Sequence, residues 1–284
     1  MAISHSGFEI YSVGKLSKDG ERCLKYQLIR LLIGSLGFKK DNRKYQQTVN
    51  YSEMPPSPQL MPPRDSFKNF ISDYGVSYTP VKFIAESILD NRNFYKDILV
   101  EFLNYFQQSS RKSHTAAFVY LYRILERMFY SVPLIYVSTQ ADYYNTFDDL
   151  KNILKEDKIG EMGLYKKMLG QGRFIDSAEL DLTYTIDFSP SANSAKFYSI
   201  TEKLVSSFDS KDPATTELVI KFKNTGDLLA SLRNRFFHTR TGDGKSNIKA
   251  ENIFDSDEYF SFMNPIFCSY LAQVILNISA VKYK

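Results

Sequence analysis

The stretch Thr115 to Tyr130 reads TAAFVYLYRILERMFY, with Phe118, Leu121, Tyr122, Leu125 and Phe129 recurring at three- and four-residue spacing. Only an α-helix gathers that pattern onto one stripe, so this segment is expected to be a helix with one buried face. The same spacing links Leu24, Leu28, Leu31 and Leu32 within Arg22 to Gly34. It returns from Phe83 through Ile98, Leu99, Phe102 and Phe106, with a break expected near Asp90-Asn91. Thr79-Pro80 has the form of a helix start, a capping hydroxyl followed by a proline whose fixed φ suits the first turn. Short helices are predicted at Asp148 to Leu154, Gly163 to Leu169 and Ser199 to Phe208. Longer ones are predicted at Ala214 to Phe237, with an interruption at Asn224-Thr225-Gly226, and at Asp257 to Ala280, where Pro265 opens the second half. Pro133 should end or kink the Thr115 helix. The fold class read from these patterns is all-α, a helical bundle with minor β content. Leu180 to Phe188 (LDLTYTIDF) alternates as a strand does and is read as part of a small hairpin insertion; Glu9 to Val13 is a second short strand.

Met54 to Pro63 reads MPPSPQLMPP, and its five prolines exclude a regular helix or a central strand. The reading is therefore an N-terminal extension of mixed structure over residues 1–79, ending in this connector, and a helical domain over 80–284. With 43% apolar residues in 284 the chain has material for a large core. That material is rich in 20 Tyr and 22 Phe with no Trp, so many hydroxyls must find partners at the core boundary. Two cysteines far apart and three histidines provide neither a disulfide scaffold nor a metal-ligand cluster. No cofactor is expected. The N-terminus lacks the pattern of a signal peptide. No run reaches the roughly 18 uninterrupted apolar residues of a membrane span; the nearest, Tyr270 to Val281, is broken by Gln273, Asn277 and Ser279. A cytoplasmic protein without membrane contact is the expectation.

Chemistry concentrates in Leu228 to Arg240, LLASLRNRFFHTR, where three arginines and a histidine follow an apolar run. On a helix Asn234 and His238 share a face, and the long side chain of Arg233 reaches the same ligand. Phe236 and Phe237 are expected to face the core with Leu228, Leu229 and Leu232. Imidazole titrates near neutrality and can move a proton in either direction. Guanidinium binds the extra charge of a phosphorane through two parallel donors. Asn234 is placed to orient the imidazole or a phosphate oxygen. Arg233, Asn234 and His238 are thus the candidate catalytic set. Arg235, Arg240 and Lys245 extend the positive patch as candidate RNA-phosphate contacts, or as cations that suit a helix C-terminus.

Arg233-Asn234-x-x-x-His238 resembles the signature of the HEPN superfamily: an arginine, a polar residue directly after it, and a histidine four to six residues further on. The resemblance rests on six residues. It implies a compact helical bundle and a metal-independent endoribonuclease that cleaves by 2′-hydroxyl attack. It also implies a homodimer in which two motifs face one cleft, an RNA substrate, and a role as a toxin or anti-phage effector with an antitoxin or defence-system partner. One motif histidine per chain is one fewer than a separate acid and base require, an independent reason to expect two copies. The alternative reading is a catalytically silent helical module that binds RNA or a partner protein. Glu126, on the helix with Arg123 and Arg127, is read as a surface pair with Arg123 rather than as a wall of the site. His114 is read as a residue of a helix-cap region, and Gly170-Gln171-Gly172-Arg173 lacks the lysine and preceding strand of a nucleotide-binding loop.

Overall fold

The computed structural model describes residues 3–11, 18–154, 160–170, 174–237, 248 and 255–283. The chain divides into two compact units, Met1–Gln107 with Leu271–Lys284, and Gln108–Tyr270.

The first unit opens with β1 (Ile3–His5) and β2 (Phe8–Tyr11), then α1 (Lys18–Arg22) and α2 (Leu24–Leu32). A hairpin of β3 (Leu36–Lys40) and β4 (Arg43–Gln47) completes an antiparallel sheet of order β1-β2-β3-β4. Its two-residue turn, Asp41-Asn42, holds both residues at positive φ (50° and 61°). Short polar residues tolerate that conformation, and it matches the strand twist. Two short paired strands, β5 (Val49–Asn50) and β6 (Ser57–Pro58), run into the proline segment. Pro63 then begins α3 (Pro63–Asp73), and α4 (Pro80–Ser87) starts as expected, with the Thr79 hydroxyl accepting from the Lys82 amide at 3.3 Å. The helix α5 (Arg92–Ser110) follows a break at Asn91, which sits at φ 45°.

Every residue of α2 is buried, including Lys25. Its ammonium pairs with Asp90 and lies 4.7 Å and 4.8 Å from the ring centres of Tyr95 and Tyr283. Tyr283 in turn donates to Asp90 at 3.1 Å. A buried charge is tolerable only with partners of this kind.

In the second unit α6 (His114–Thr139) carries the apolar stripe expected of Thr115 to Tyr130, and Phe118, Leu121, Ile124, Leu125 and Met128 are buried along it. It runs through Pro133 rather than ending there. Then come α7 (Tyr143–Leu154), α8 (Glu161–Gly170), α9 (Ser177–Leu180), β7 (Thr183–Asp187), α10 (Ser194–Thr201), β8 (Phe208–Asp212), β9 (Glu217–Lys221) and α11 (Phe222–Phe237). The helix α12 (Ser256–Ala280) closes the order, its residues from Leu271 on belonging to the first unit, and Asp257 in its first turn accepts from the Thr115 amide at 2.6 Å. By length and composition α12 could cross a membrane, yet 89% of its most apolar window is buried inside the protein. It is a core helix.

The all-α expectation is overturned. Of the described residues 62% are helical and 14% are strand, in three small antiparallel sheets, so the class is mixed and helix-rich. The cause is plainest at Glu217–Lys221, read from sequence as helix. Its side chains alternate, with Leu218 and Ile220 fully buried, and it pairs between β7 and β8. Period-two burial and β-branched side chains win over the helical spacing that begins only at Phe222. The strand at Thr183–Asp187 therefore belongs to a three-stranded sheet, not a hairpin insertion.

Candidate functional site

The site is built where α11 packs on α6 within the second unit. Leu228, Leu229 and Leu232 are fully buried and seat α11, which carries Arg233 at the edge of that stripe. Beyond Arg233 the helix end is clamped by rings. Phe236 meets Phe260 edge-on at 5.0 Å, and Phe237 stacks on Phe118 at 5.9 Å with an interplanar angle of 5°. The expectation that both phenylalanines face the core holds only in part, since Phe237 keeps 38% of its surface exposed.

Arg233 is fixed on three sides. Its Nη2 donates to Glu126 Oε1 at 2.7 Å, its Nη1 donates to Asn234 Oδ1 at 2.9 Å, and its guanidinium carbon lies 5.4 Å from the centre of the Tyr122 ring. Tyr122 and Glu126 are four apart on α6, so both project from one face towards α11. Glu126 is thus not simply a surface partner of Arg123, as read from sequence; it reaches Arg233 on the other helix. It is also the lone carboxylate in the sequence of α6. That isolation was the signal to be found: a single acid among cations on a largely apolar helix has some partner to meet.

Two hollows meet at this pair. One is an open groove of about 630 Å³ lined by Arg123, Glu126, Arg127, Phe129, Tyr130 and Arg233. The other is a smaller recess of about 200 Å³, more apolar, that adds Tyr122, Met162, Ala230 and Asn234. The first gives a polar wall with three arginines, the second an aromatic and aliphatic floor. Such a combination suits an anion carrying a planar group.

The other predicted residues divide. Arg235 turns away from the groove and donates to the Lys203 carbonyl at 2.7 Å, so its guanidinium is engaged in holding the α11 end to the segment after α10. His238, Arg240 and Lys245 lie outside the described residues. The structure therefore brings Arg233 and Asn234 together and adds Glu126 and Tyr122 to them. Among the described residues no group of His, Cys, Asp and Glu has the makings of a metal site. His114 begins α6, and burial lowers its pKa, with the Asp257 carboxylate opposing that shift and Lys112 adding to it. No family model, curated protein or solved structure matches the chain.

Proposed function

We propose that the chain is a metal-independent endoribonuclease, with Arg233, Asn234 and His238 as its catalytic set and the groove between α6 and α11 as its substrate site. The observation that carries this reading is the placement of Arg233, with Asn234, at the mouth of an open groove rather than in a sealed core. Arg233 keeps 29% of its side chain exposed and is oriented by Glu126 and Tyr122. A pre-oriented guanidinium costs little reorganisation when it meets developing charge.

In this scheme one imidazole takes the proton of a 2′-hydroxyl, the 2′-oxygen bonds to phosphorus, and the bond to the 5′-oxygen breaks. A second imidazole protonates the departing oxygen. Arg233 binds the equatorial oxygens of the phosphorane, and Arg123 and Arg127 attract the flanking phosphates. The products are a 2′,3′-cyclic phosphate and a 5′-hydroxyl. The second imidazole is assigned to a second copy of the chain, so the active form is a homodimer. A cytoplasmic effector, toxic to its host or its host's phages and held by a partner protein, is the role that the HEPN resemblance attaches to such chemistry.

The Glu126–Arg233 ion pair also favours a second reading, a silent RNA- or protein-binding module. A carboxylate already neutralises the cation that the phosphorane would need. Incubating the wild type with structured RNA in EDTA and resolving the product ends separates the two. Cyclic-phosphate products that vanish in His238→Ala, with RNA affinity retained, support the nuclease. A wild type that cuts nothing, with or without magnesium, leaves the silent module.

A further inference from the structure

The β3–β4 hairpin of the first unit carries Lys39, Lys40, Arg43 and Lys44 around its two-residue turn. Register places Lys39 opposite Lys44 and Lys40 opposite Arg43, so both cross-strand pairs beside the turn are like-charged. Directly opposed like charges destabilise a hairpin. Relief is partial. Lys39 pairs with Glu9 at 3.5 Å, and Lys40 lies 4.1 Å from the ring centre of Phe8 and donates to Asn104 at 3.4 Å. Arg43 and Lys44 are exposed, and neither has an acidic partner among the described residues.

Side chains alternate along a strand, so Lys40 and Arg43 lie on the face of the buried Phe38. Lys39 and Lys44 lie on the outer face, where Tyr11 pairs in register with Gly37. A side chain on Gly37 would meet the Tyr11 ring at 2.7 Å, so the ring lies across the bare backbone of β3. Its hydroxyl donates to the Tyr45 carbonyl at 3.3 Å, which fixes the ring's direction, and Lys44 Nζ stands 5.9 Å from its centre. A glycine within a strand is the usual mark of such a close approach.

We infer that this outer sheet face, with Tyr11 as a stacking platform and the opposed Lys39 and Lys44 beside it, binds single-stranded nucleic acid. Backbone phosphates neutralise the opposed cations, and a base stacks on the pinned ring. Cations tracking phosphates beside an aromatic platform recognise single strands without reading sequence. The inference does not rest on the cleavage reading, because it concerns other residues in the other unit. The competing account is that β4, an edge strand of the sheet, carries cations only to deter pairing with another chain.

The experiment is fluorescence anisotropy of the full chain with labelled oligothymidylate, which has no 2′-hydroxyl and so cannot be cut by the proposed chemistry. Lys39→Gln/Lys44→Gln should weaken binding about tenfold at low salt and flatten the slope of log affinity against log salt by about 1.4, roughly 0.7 for each phosphate that the variant no longer neutralises. Tyr11→Leu should weaken binding about fivefold or more with the salt slope unchanged. Lys68→Gln, an exposed lysine paired with Asp65 at 3.2 Å, serves as the charge-loss control and should change neither. Wild-type affinity and slope in the double variant would overturn the inference. So would equal competition by polyglutamate, or a double variant that aggregates more readily but binds as before.

Discussion

At the scale of single residues, the decisive contact is Glu126 with Arg233. The two side chains keep 42% and 29% of their surface, so their attraction is screened and contributes under about 1 kcal/mol to stability. In the proposed site it matters instead because the carboxylate holds the guanidinium's direction and also offsets its charge. Glu126→Gln separates these effects, since the amide can still accept from Nη2 but carries no charge. The expected outcome is an unchanged melting temperature and a several-fold gain in affinity for inorganic phosphate, read by calorimetric titration. Weaker phosphate binding by the variant would show that Glu126 is not a competitor for the cation.

At the scale of elements, the helices with strong spacing were legible, as were the strand at Thr183–Asp187 and part of the one at Phe8–Tyr11, but the other strands were not. The α6 stripe and the Thr79-Pro80 start of α4 follow from local patterns that tertiary contacts reinforce. The strand Glu217–Lys221 merges directly into α11, so a single helical window covers both and hides the change of period. The β3–β4 hairpin was missed although Asp41-Asn42 is a turn signal between GFKK and RKYQ, because its cationic strands lack a plain apolar alternation. In the candidate site the sequence identified Arg233 and Asn234. It could not identify Glu126 or Tyr122 as their neighbours, since that depends on how two distant helices pack.

Gly226 shows the same limit and yields a test. Sequence reads it as an interruption, yet α11 runs through it. Its lack of a side chain answers to Tyr270, whose hydroxyl would stand 2.7 Å from an added Cβ. That hydroxyl is buried and shares a hydrogen bond of 2.8 Å with Tyr165, so it cannot swing aside freely. Gly226→Ala gains about 1 kcal/mol in helix propensity and loses about 1–3 kcal/mol to overpacking. A net loss of about 1 kcal/mol in denaturant unfolding is expected; a stabilised variant would contradict the tight fit.

At the scale of the whole molecule, an abundance of tyrosine in place of tryptophan makes stability respond to alkali. Burial raises the pKa of Tyr95, Tyr165, Tyr259 and Tyr270, all of them enclosed in the core. In the unfolded chain a phenol loses its proton near pH 10. Above that value the folded state holds more protons than the unfolded one, so stability must fall as pH rises, by about 1.4 kcal/mol per pH unit for each such tyrosine. On the acid side burial of Asp90 opposes ionisation, but Lys25, Lys282 and Tyr283 outweigh it and lower its pKa. That contribution is present above the ordinary carboxylate value and is lost as pH falls through the lowered one. The lowered pKa of His114 likewise removes stability below about pH 6.5. The alkaline limb should be the steeper, because four enclosed phenols act in the same direction. Urea midpoints measured from pH 5 to 11.5 should therefore hold a plateau between about 7 and 10 and then drop sharply. Tyr259→Phe should soften that drop, because it removes one titrating phenol and leaves the ring; only the Thr201 hydroxyl, 2.9 Å away, loses a partner. A midpoint that stays level past pH 11 would mean that these phenols ionise in place, and the burial argued for them would be wrong.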